Sequence, residues 1–495
     1  MRHKNYISKF ILLLALATLT SCEDFLNREP IGEVPAEQMW KTRRDVQAGV
    51  NNIYVKFRNT MRSNFFRWGE LRADNFESKY GTADEPDMLA RNQLTSSMSS
   101  ALWTDLYATV KAANAAIAHI KEADVPDESE KNDFIGQAYA MRALCYFYAV
   151  RVWGDVPVYL VPTENYNTIQ LSPRINKTEV LTDVVIPDLT KALELMSINN
   201  KERKRISKYA VYSIFADVYL WLGEWDKVNQ TVDLFNTATG GTYLQFETDI
   251  SKVKQYLSVD LNNKTSDKDY TKDEYGSIKE IIFVVHFDIQ EYPSGSYIWS
   301  LFGGGGSGID NGPGSVKLTE DFMSLFSAEN NRSGDKRKEY FVNTSGSSLL
   351  KYIPNGSEVS STQWRQCEMA YPVYRTTDLY FMKAEALARM SRWSDALAII
   401  NGDIRKRAAG GVLTSDIYTK SKTISDFASV EDLVDYILEE KRIDMVGEGK
   451  RWFDLVRTGR WTNLSKIKNE NQTLFPIHYS HIEENKDYIT QNTGY

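Results

Sequence analysis

Near its C-terminus the chain reads Ile437-Leu-Glu-Glu-Lys-Arg442-Ile-Asp-Met-Val-Gly-Glu448-Gly449-Lys-Arg451-Trp452-Phe453-Asp454-Leu455-Val-Arg457-Thr-Gly459. Two carboxylates flanking a sugar bond are the device of a glycosidase. Here the acids Glu439, Glu440, Asp444, Glu448 and Asp454 interleave with Arg442, Arg451 and Arg457 at helical spacing. That pattern predicts intramolecular ion pairs and a structural network. Replacing Glu448 is therefore expected to damage folding, not a hydrolytic rate.

Upstream of this stretch the sequence is mostly helical in pattern. Trp40, Val46, Val50, Ile53, Tyr54 and Phe57 recur at three and four between Ala36 and Phe57, as do Trp103, Leu106, Tyr107, Val110 and Ile117 between Leu102 and Ile120. A third stripe, Phe134 to Val152, stops at Gly154-Asp155-Val156-Pro157, a helix-stop pair. Two segments repeat one another: Ala216 to Val228, with Gly223 and Trp225, aligns with Ala384 to Ala396, with Ser391 and Trp393. Each reads as a helix hairpin, with alanine at a close crossing, a tight turn and an aromatic wedge. The pattern resembles the tetratricopeptide repeat, although copies 168 residues apart make scattered hairpins and not an unbroken solenoid. Trp103, Trp153, Trp221, Trp225, Trp393 and Trp452 fall in helical patterns and are expected in the core.

From about Asn236 to Pro372, Gly, Ser, Asn and Asp dominate, with one short buried strand expected at Glu280 to Phe287. The expected class is mainly α: a helix-hairpin scaffold carrying a loop-rich, partly β and irregular face, where binding residues usually lie. The 495 residues, with 28 Tyr, 21 Phe and 11 Trp, exclude disorder as the main state. Three cysteines exclude a disulfide scaffold, and Cys145, inside an apolar helix, reads as a small buried hydrophobe. A net charge of -7 without a basic block argues against nucleic acid as a partner.

The first residues give a basic segment, Met1 to Lys9, then an apolar run from Phe10 to Leu19. That run is shorter than the roughly 20 residues a membrane span needs, and matches a secretory signal. It ends in Leu19-Thr20-Ser21-Cys22, which resembles the lipobox of bacterial lipoproteins. The resemblance implies removal of residues 1–21 and lipidation of Cys22, a durable membrane anchor.

The C-terminal stretch quoted above resembles the signature of the SusD/RagB family of outer-membrane lipoproteins of Bacteroidetes. Ser21 to Pro30, Arg142-Ala143 through Pro157, Ala384 to Ala386, Arg405 to Ala408 and the tail Phe475 to Tyr495 agree with it in order. His478, His481, Lys486 and Thr493 depart from the family's usual residues, which touches local turn geometry in the tail. The resemblance implies a single body over 22–495, divided into a helical part (22–235), a loop-rich insert (236–372) and a C-terminal helical part and tail (373–495). It implies a cell-surface protein that binds oligosaccharides without cleaving them and delivers them to a SusC-like TonB-dependent transporter. Glu23 and Asp24 resemble a surface-export signal. Peptide capture, a lipid-anchored glycoside hydrolase and a scaffold whose one ligand is its transporter are the alternatives.

Flat aromatic faces dock on the C–H patches of sugar rings while polar neighbours bind hydroxyls. The glycan-binding candidates are Trp68, Asp74, Phe76 and Tyr80, beside Phe65-Phe66-Arg67; Tyr292, Tyr297, Trp299 and Phe302; and Trp364, beside Arg365. Trp299 leads, because Ser-Gly-Ser precedes it and glycines follow. No catalytic residue and no cofactor is expected. His478 and His481 stand three apart in an irregular tail, which is not a zinc spacing. The Asp/Asn-rich run from Asp260 to Asp273 stays open between a calcium loop and a solvated surface loop. Gly303 to Gly308 satisfies Gly-x-Gly-x-x-Gly in form, but no helix follows it, so it reads as a mobile loop and not as a phosphate cradle.

Overall fold

The computed structural model describes residues 39–81, 83–163, 171–200, 202–240, 245–257, 280–287, 297, 301, 316–327, 332, 334–343, 348–352, 369–410 and 421–495. Cys22, Tyr292, Trp299, Phe302, Trp364, the Asp260 to Asp273 run and the Gly303 to Gly308 run lie outside them.

Helix α1 spans Arg43–Gly69 and opens with a capping box: Thr42 accepts from the Asp45 amide, and Asp45 accepts from the Thr42 amide at 2.8 Å. It runs twelve residues beyond the expected end at Phe57, because Met61, Phe65, Phe66 and Trp68 prolong the buried stripe of Val50, Ile53 and Phe57. Helices α2 (Thr104–His119) and α3 (Glu128–Trp153) follow. Every residue of α3 from Phe134 to Trp153 except Tyr139 is buried, as befits a helix enclosed on all sides. It ends at Gly154 with φ +77°, where an added Cβ would press on Leu474.

Helices α4 (Ile186–Leu195), α5 (Lys208–Leu222) and α6 (Trp225–Thr239) continue the series. After the loop-rich part come α7 (Thr376–Arg389), α8 (Trp393–Ile399), α9 (Val430–Asp444) and α10 (Arg451–Arg457). Each of α1 to α6 packs on the next, α6 packs on α7, and α7 packs on both α8 and α9. This is a tetratricopeptide-like array of helix hairpins. The two repeated segments are the α5–α6 and α7–α8 hairpins, and both turns are left-handed, Gly223 at φ +74° and Ser391 at φ +61°.

Strand β1 (Phe76–Ser78) and strand β3 (Val316–Leu318) form one antiparallel pair. Strand β2 (Ile281–Phe287) matches the strand expected from the sequence, and its partner is β4 (Met369–Arg375), from Ile281 opposite Arg375 to Phe287 opposite Met369. Pro372 lies within β4, whose one strand neighbour among the described residues is β2, so it sits at an edge there. One apolar cluster joins residues from Val46 to Ile489, and a smaller one, Phe381 to Met445, fills the space between α7, α8 and α9. Trp103, Trp153 and Trp452 are buried, whereas Trp221, Trp225 and Trp393 are half-buried against the clusters. Cys145 is buried with a free thiol, which burial pushes well above its ordinary pKa.

Candidate functional site

The acids of the C-terminal stretch are sealed inside the protein. Asp444 accepts from Arg375 at 2.8 Å and, through its two oxygens, from Arg407 Nη2 at 2.8 and 2.9 Å. Glu448 accepts from Arg375 Nε at 2.9 Å and from Lys351, and Glu440 accepts from Arg337 at 2.8 Å and Arg332 at 2.9 Å. Asp454 joins Lys441 to Arg457, which forks onto Glu385 at 2.7 and 2.6 Å. Asp454–Arg457 is the pair at helical spacing. Lys441 lies within the same stretch, and the partners of Glu440, Asp444 and Glu448 come from distant parts of the chain, so the expected ion pairs form but are mostly not the ones at helical spacing. Burial pushes the Asp444, Glu440 and Glu448 carboxyls up, but the surrounding cations outweigh it and hold all three below the usual range. A glycosidase needs a protonated acid facing its substrate. These groups are ionised, paired and enclosed.

The turn between α9 and α10 is pressed onto the end of α1. Gly447 and Gly449 have φ of +78° and +67°, and both amides donate to the Glu70 carboxylate at 3.1 Å. A Cβ on Gly69 would stand 1.9 Å from the Gly449 carbonyl oxygen, so glycine is required at that contact.

That contact relocates three of the glycan-binding candidates. Trp68 is fully buried at the end of α1, its indole donating to the Ser100 carbonyl at 2.8 Å and its ring 5.2 Å from that of Trp153. Phe76 is buried in β1, 5.1 Å from Phe66. Neither ring has a face open to a sugar, so both are corrected to core residues. Asp74 receives the Arg451 fork at 2.8 and 2.7 Å, with Arg442 at 3.6 Å. Burial raises its pKa, the two guanidiniums lower it further, and the carboxylate is committed to holding the β1 approach on α10.

Arg67 follows a different course. At about 100° per residue, burying Phe65, Phe66 and Trp68 turns Arg67 toward the loop side. Its Nε donates to the Tyr297 hydroxyl at 3.1 Å, with the guanidinium carbon 4.8 Å from the tyrosine ring centre. Its Nη1 donates to Ser99 Oγ at 2.8 Å, and Ser99 donates to Glu85 at 2.7 Å. Glu85, at the start of the short helix Glu85–Ala90, also accepts from the Ser100 amide at 2.7 Å and lies 3.8 Å from Arg67. Burial pushes Glu85 up, but Arg67 and the Ser99 and Ser100 bonds outweigh it and keep the acid ionised. Burial pushes the Tyr297 phenol up, so its proton stays on the oxygen.

The structure therefore brings one aromatic candidate, Tyr297, onto a polar cluster of Arg67, Glu85 and Ser99. Tyr80 is 57% exposed, with the Lys79 ammonium 5.0 Å from its ring centre. The Tyr297 cluster offers an aromatic ring beside charged donors and acceptors, the requirements for docking a hydroxylated ring. Arg67 stands among the residues quoted with Trp68, but as a cation it is not one of the aromatic candidates. Helical phase, which separates Arg67 from its neighbours, would have found it. Glu85 and Ser99 carry no sequence signal of their own.

His481 stacks on Trp103 at 4.8 Å, and His478 caps the short helix Tyr479–Glu484. Among the described residues no group of three or more His, Cys, Asp or Glu could hold a metal ion, and no helix is long and apolar enough to cross a membrane.

Two family models match the chain: the SusD family over residues 229–472, and a model described as starch-binding, associating with the outer membrane, over residues 24–220. The chain is similar to SusD-like protein P38 of Formosa agariphila, 26% identical with 100% of each chain covered. It is also similar to a SusD-like protein of Bacteroides ovatus, 23% identical over 92% of this chain and 83% of that one. Among solved structures, a SusD superfamily protein of Parabacteroides distasonis superposes with a TM-score of 0.72 at 23% identity, covering 92% of this chain and 99% of the other. A laminarin-binding SusD-like protein superposes with a TM-score of 0.69 at 19% identity, covering 92% and 100%. These superpositions establish the shared fold.

Proposed function

This chain belongs to the SusD family, and from that premise we propose that it is a cell-surface lipoprotein that captures oligosaccharides and passes them, uncleaved, to a SusC-like TonB-dependent transporter. Residues 1–21 are the removed signal, Cys22 carries the lipid, and 22–495 work as one body at the outer membrane. Glycan capture is supported by the starch-binding description of the model over residues 24–220 and by the laminarin-binding protein of the same fold. The observation that carries the location of the site is the contact of Tyr297 with Arg67, which brings a residue of the aromatic loop onto a half-buried charged platform. Tyr80, Tyr292, Trp299, Phe302 and Trp364 complete the proposed binding face. Capture needs no bond to be made or broken, and the buried acids of the α9–α10 turn serve the fold.

Calorimetric titration with a panel of oligosaccharides, beside a peptide panel, tests the reading. Arg67→Ala and Trp299→Ala should each weaken binding of the recognised glycan by about 1–3 kcal/mol with thermal unfolding nearly unchanged. An unaltered isotherm for Arg67→Ala would remove the platform from the site. Release of reducing ends from the bound glycan, or binding of peptides alone, would overturn glycan capture without cleavage.

A further inference from the structure

A second concavity shares no lining residue with the Arg67 platform. It is a cleft of about 470 Å³ between α2, the chain around Pro157 to Thr163, and the C-terminal tail, within the ordinary range of ligand clefts, about 300–1,000 Å³. Its aromatic wall is held in place. The Tyr107 hydroxyl donates to the Pro157 carbonyl at 2.6 Å, and the Tyr107 and Tyr159 rings meet edge to face at 5.9 Å. On the other side Trp103 is sandwiched against His481, with planes 15° apart. These rings need no rearrangement to meet a ligand.

His481 shows what chemistry the cleft would recognise. The Trp103 amide donates to its Nε2 at 3.2 Å, and an imidazole that accepts at Nε2 carries its proton on Nδ1. Burial, with His478 adding to it, lowers its pKa to about 4, so the neutral ring persists at pH 7. The side chain lines the cleft and is only 6% exposed, and with Nε2 taken by the Trp103 amide the Nδ1–H is the ring's remaining polar group. Among the described residues the rim adds one cation and one anion, Lys111 and Glu484, with the Asn485 amide beside them. Opposite charges at the rim favour neither an anion nor a cation. A ligand that suits an aromatic wall, a buried neutral donor and a mixed polar rim is uncharged, with one flat apolar face and hydroxyls around its edge.

We propose that this cleft is a second saccharide site, in which a neutral pyranose lies along the Tyr107 and Tyr159 wall and a hydroxyl accepts from His481 Nδ1–H. The inference rests on the glycan-capture reading and extends it to a separate surface. The test uses the full-length chain in detergent, titrated calorimetrically with maltohexaose and laminarihexaose. Ala108→Trp and Thr104→Trp each fill the cleft from α2, where Ala108 is half-buried and Thr104 exposed. The two positions guard against one variant misfolding.

The wild type should bind two equivalents of the recognised hexasaccharide and each blocking variant one. Arg67→Ala combined with Ala108→Trp should keep only one equivalent, at the weakened affinity of the Arg67→Ala platform. Blocking variants that titrate like the wild type overturn the cleft site and leave the Arg67 platform standing. A single equivalent lost on blocking but untouched by Arg67→Ala keeps the cleft and overturns the platform. No binding of either sugar to the wild type overturns both.

Discussion

The α9–α10 turn and the helix hairpins stabilise the same body by opposite means. At the turn, Glu440, Asp444, Glu448 and Asp454 are buried, each against cations, and most of those cations come from elsewhere in the chain. Around the turns of the α5–α6 and α7–α8 hairpins the buried positions are Val218, Leu220 and Val228 in one and Leu387, Ala388 and Ala396 in the other, and the ion pairs there, Lys227–Glu224 and Arg392–Asp395, are about half exposed. Coulomb attraction grows as water is excluded, and so does the cost of leaving a charge without its partner. The α9–α10 turn should therefore be intolerant of single changes and the hairpin turns forgiving, although both look well packed.

Glu448→Ala tests the intolerant side and should have the largest effect. It would strip Lys351 of its carboxylate and Arg375 of two of its bonds, in a region without solvent access. Breaking such a buried pair costs about 3–5 kcal/mol. Urea unfolding should show that loss, whereas Glu439→Ala, at an acid 41% exposed, should stay near the wild type. A small loss at Glu448 would mean that the cluster tolerates an unpaired charge, and the contrast would fail.

Acid should separate the two regions more gently. Burial raises the Asp454 carboxyl, Lys441 and Arg457 lower it, and the result is about 2 against 3.8 for the free group. A carboxyl with a lowered folded pKa contributes stability that is complete above its unfolded pKa and lost as pH falls toward the folded value. For Asp454 that window runs from 3.8 down to about 2 and is worth about 2 kcal/mol. Glu440, Asp444 and Glu448, shifted the same way, steepen the slope. Asp454→Asn should flatten stability against pH below 4.5, while Glu224→Gln with Asp395→Asn should reproduce the wild-type slope. If the hairpin variant flattened it instead, the acid response would belong to the surface.

The same contrast governs what could be read from the sequence. Helix α3 was legible from Phe134 to Gly154 because its signals, an apolar run and a glycine stop, are local. The charged stretch was legible as a network, but its partners were not: Arg375 reaches it on β4, a strand that lay unrecognised across the end of the loop-rich segment, and Glu70 reaches it from the end of α1. Partners 69 to 377 residues away leave no trace in local spacing. Overlooking the last three turns of α1 also made Trp68 and Phe76 look like loop aromatics, when tertiary burial claims both. The Arg67–Tyr297 contact spans 230 positions and was half legible, since Tyr297 drew attention by its loop and Arg67 did not.

The smallest effect lies at the hairpin turns, where the sequence repeat becomes a matched pair of backbones. At the first, the Gly223 amide donates to Leu220 and the Glu224 amide to Tyr219, at 3.2 and 2.9 Å. At the second, the Ser391 amide donates to Ala388 and the Arg392 amide to Leu387, at 3.1 and 2.8 Å. Both are left-handed helix stops of the kind that favours glycine, yet one position holds serine. A left-handed non-glycine residue costs roughly 1–2 kcal/mol, and glycine's extra freedom in the unfolded chain returns part of the gain. Ser391→Gly should therefore raise stability by about 0.5–1 kcal/mol, and Gly223→Ser should lower it by a similar amount. At Gly223 the penalty would be conformational, because an added Cβ meets nothing closer than Trp225 at 3.5 Å. Melting curves of the two variants should shift in opposite directions. If Ser391→Gly melted earlier than the wild type, the serine side chain would be contributing something that the shared backbone geometry does not contain, and the two hairpins would not be equivalent.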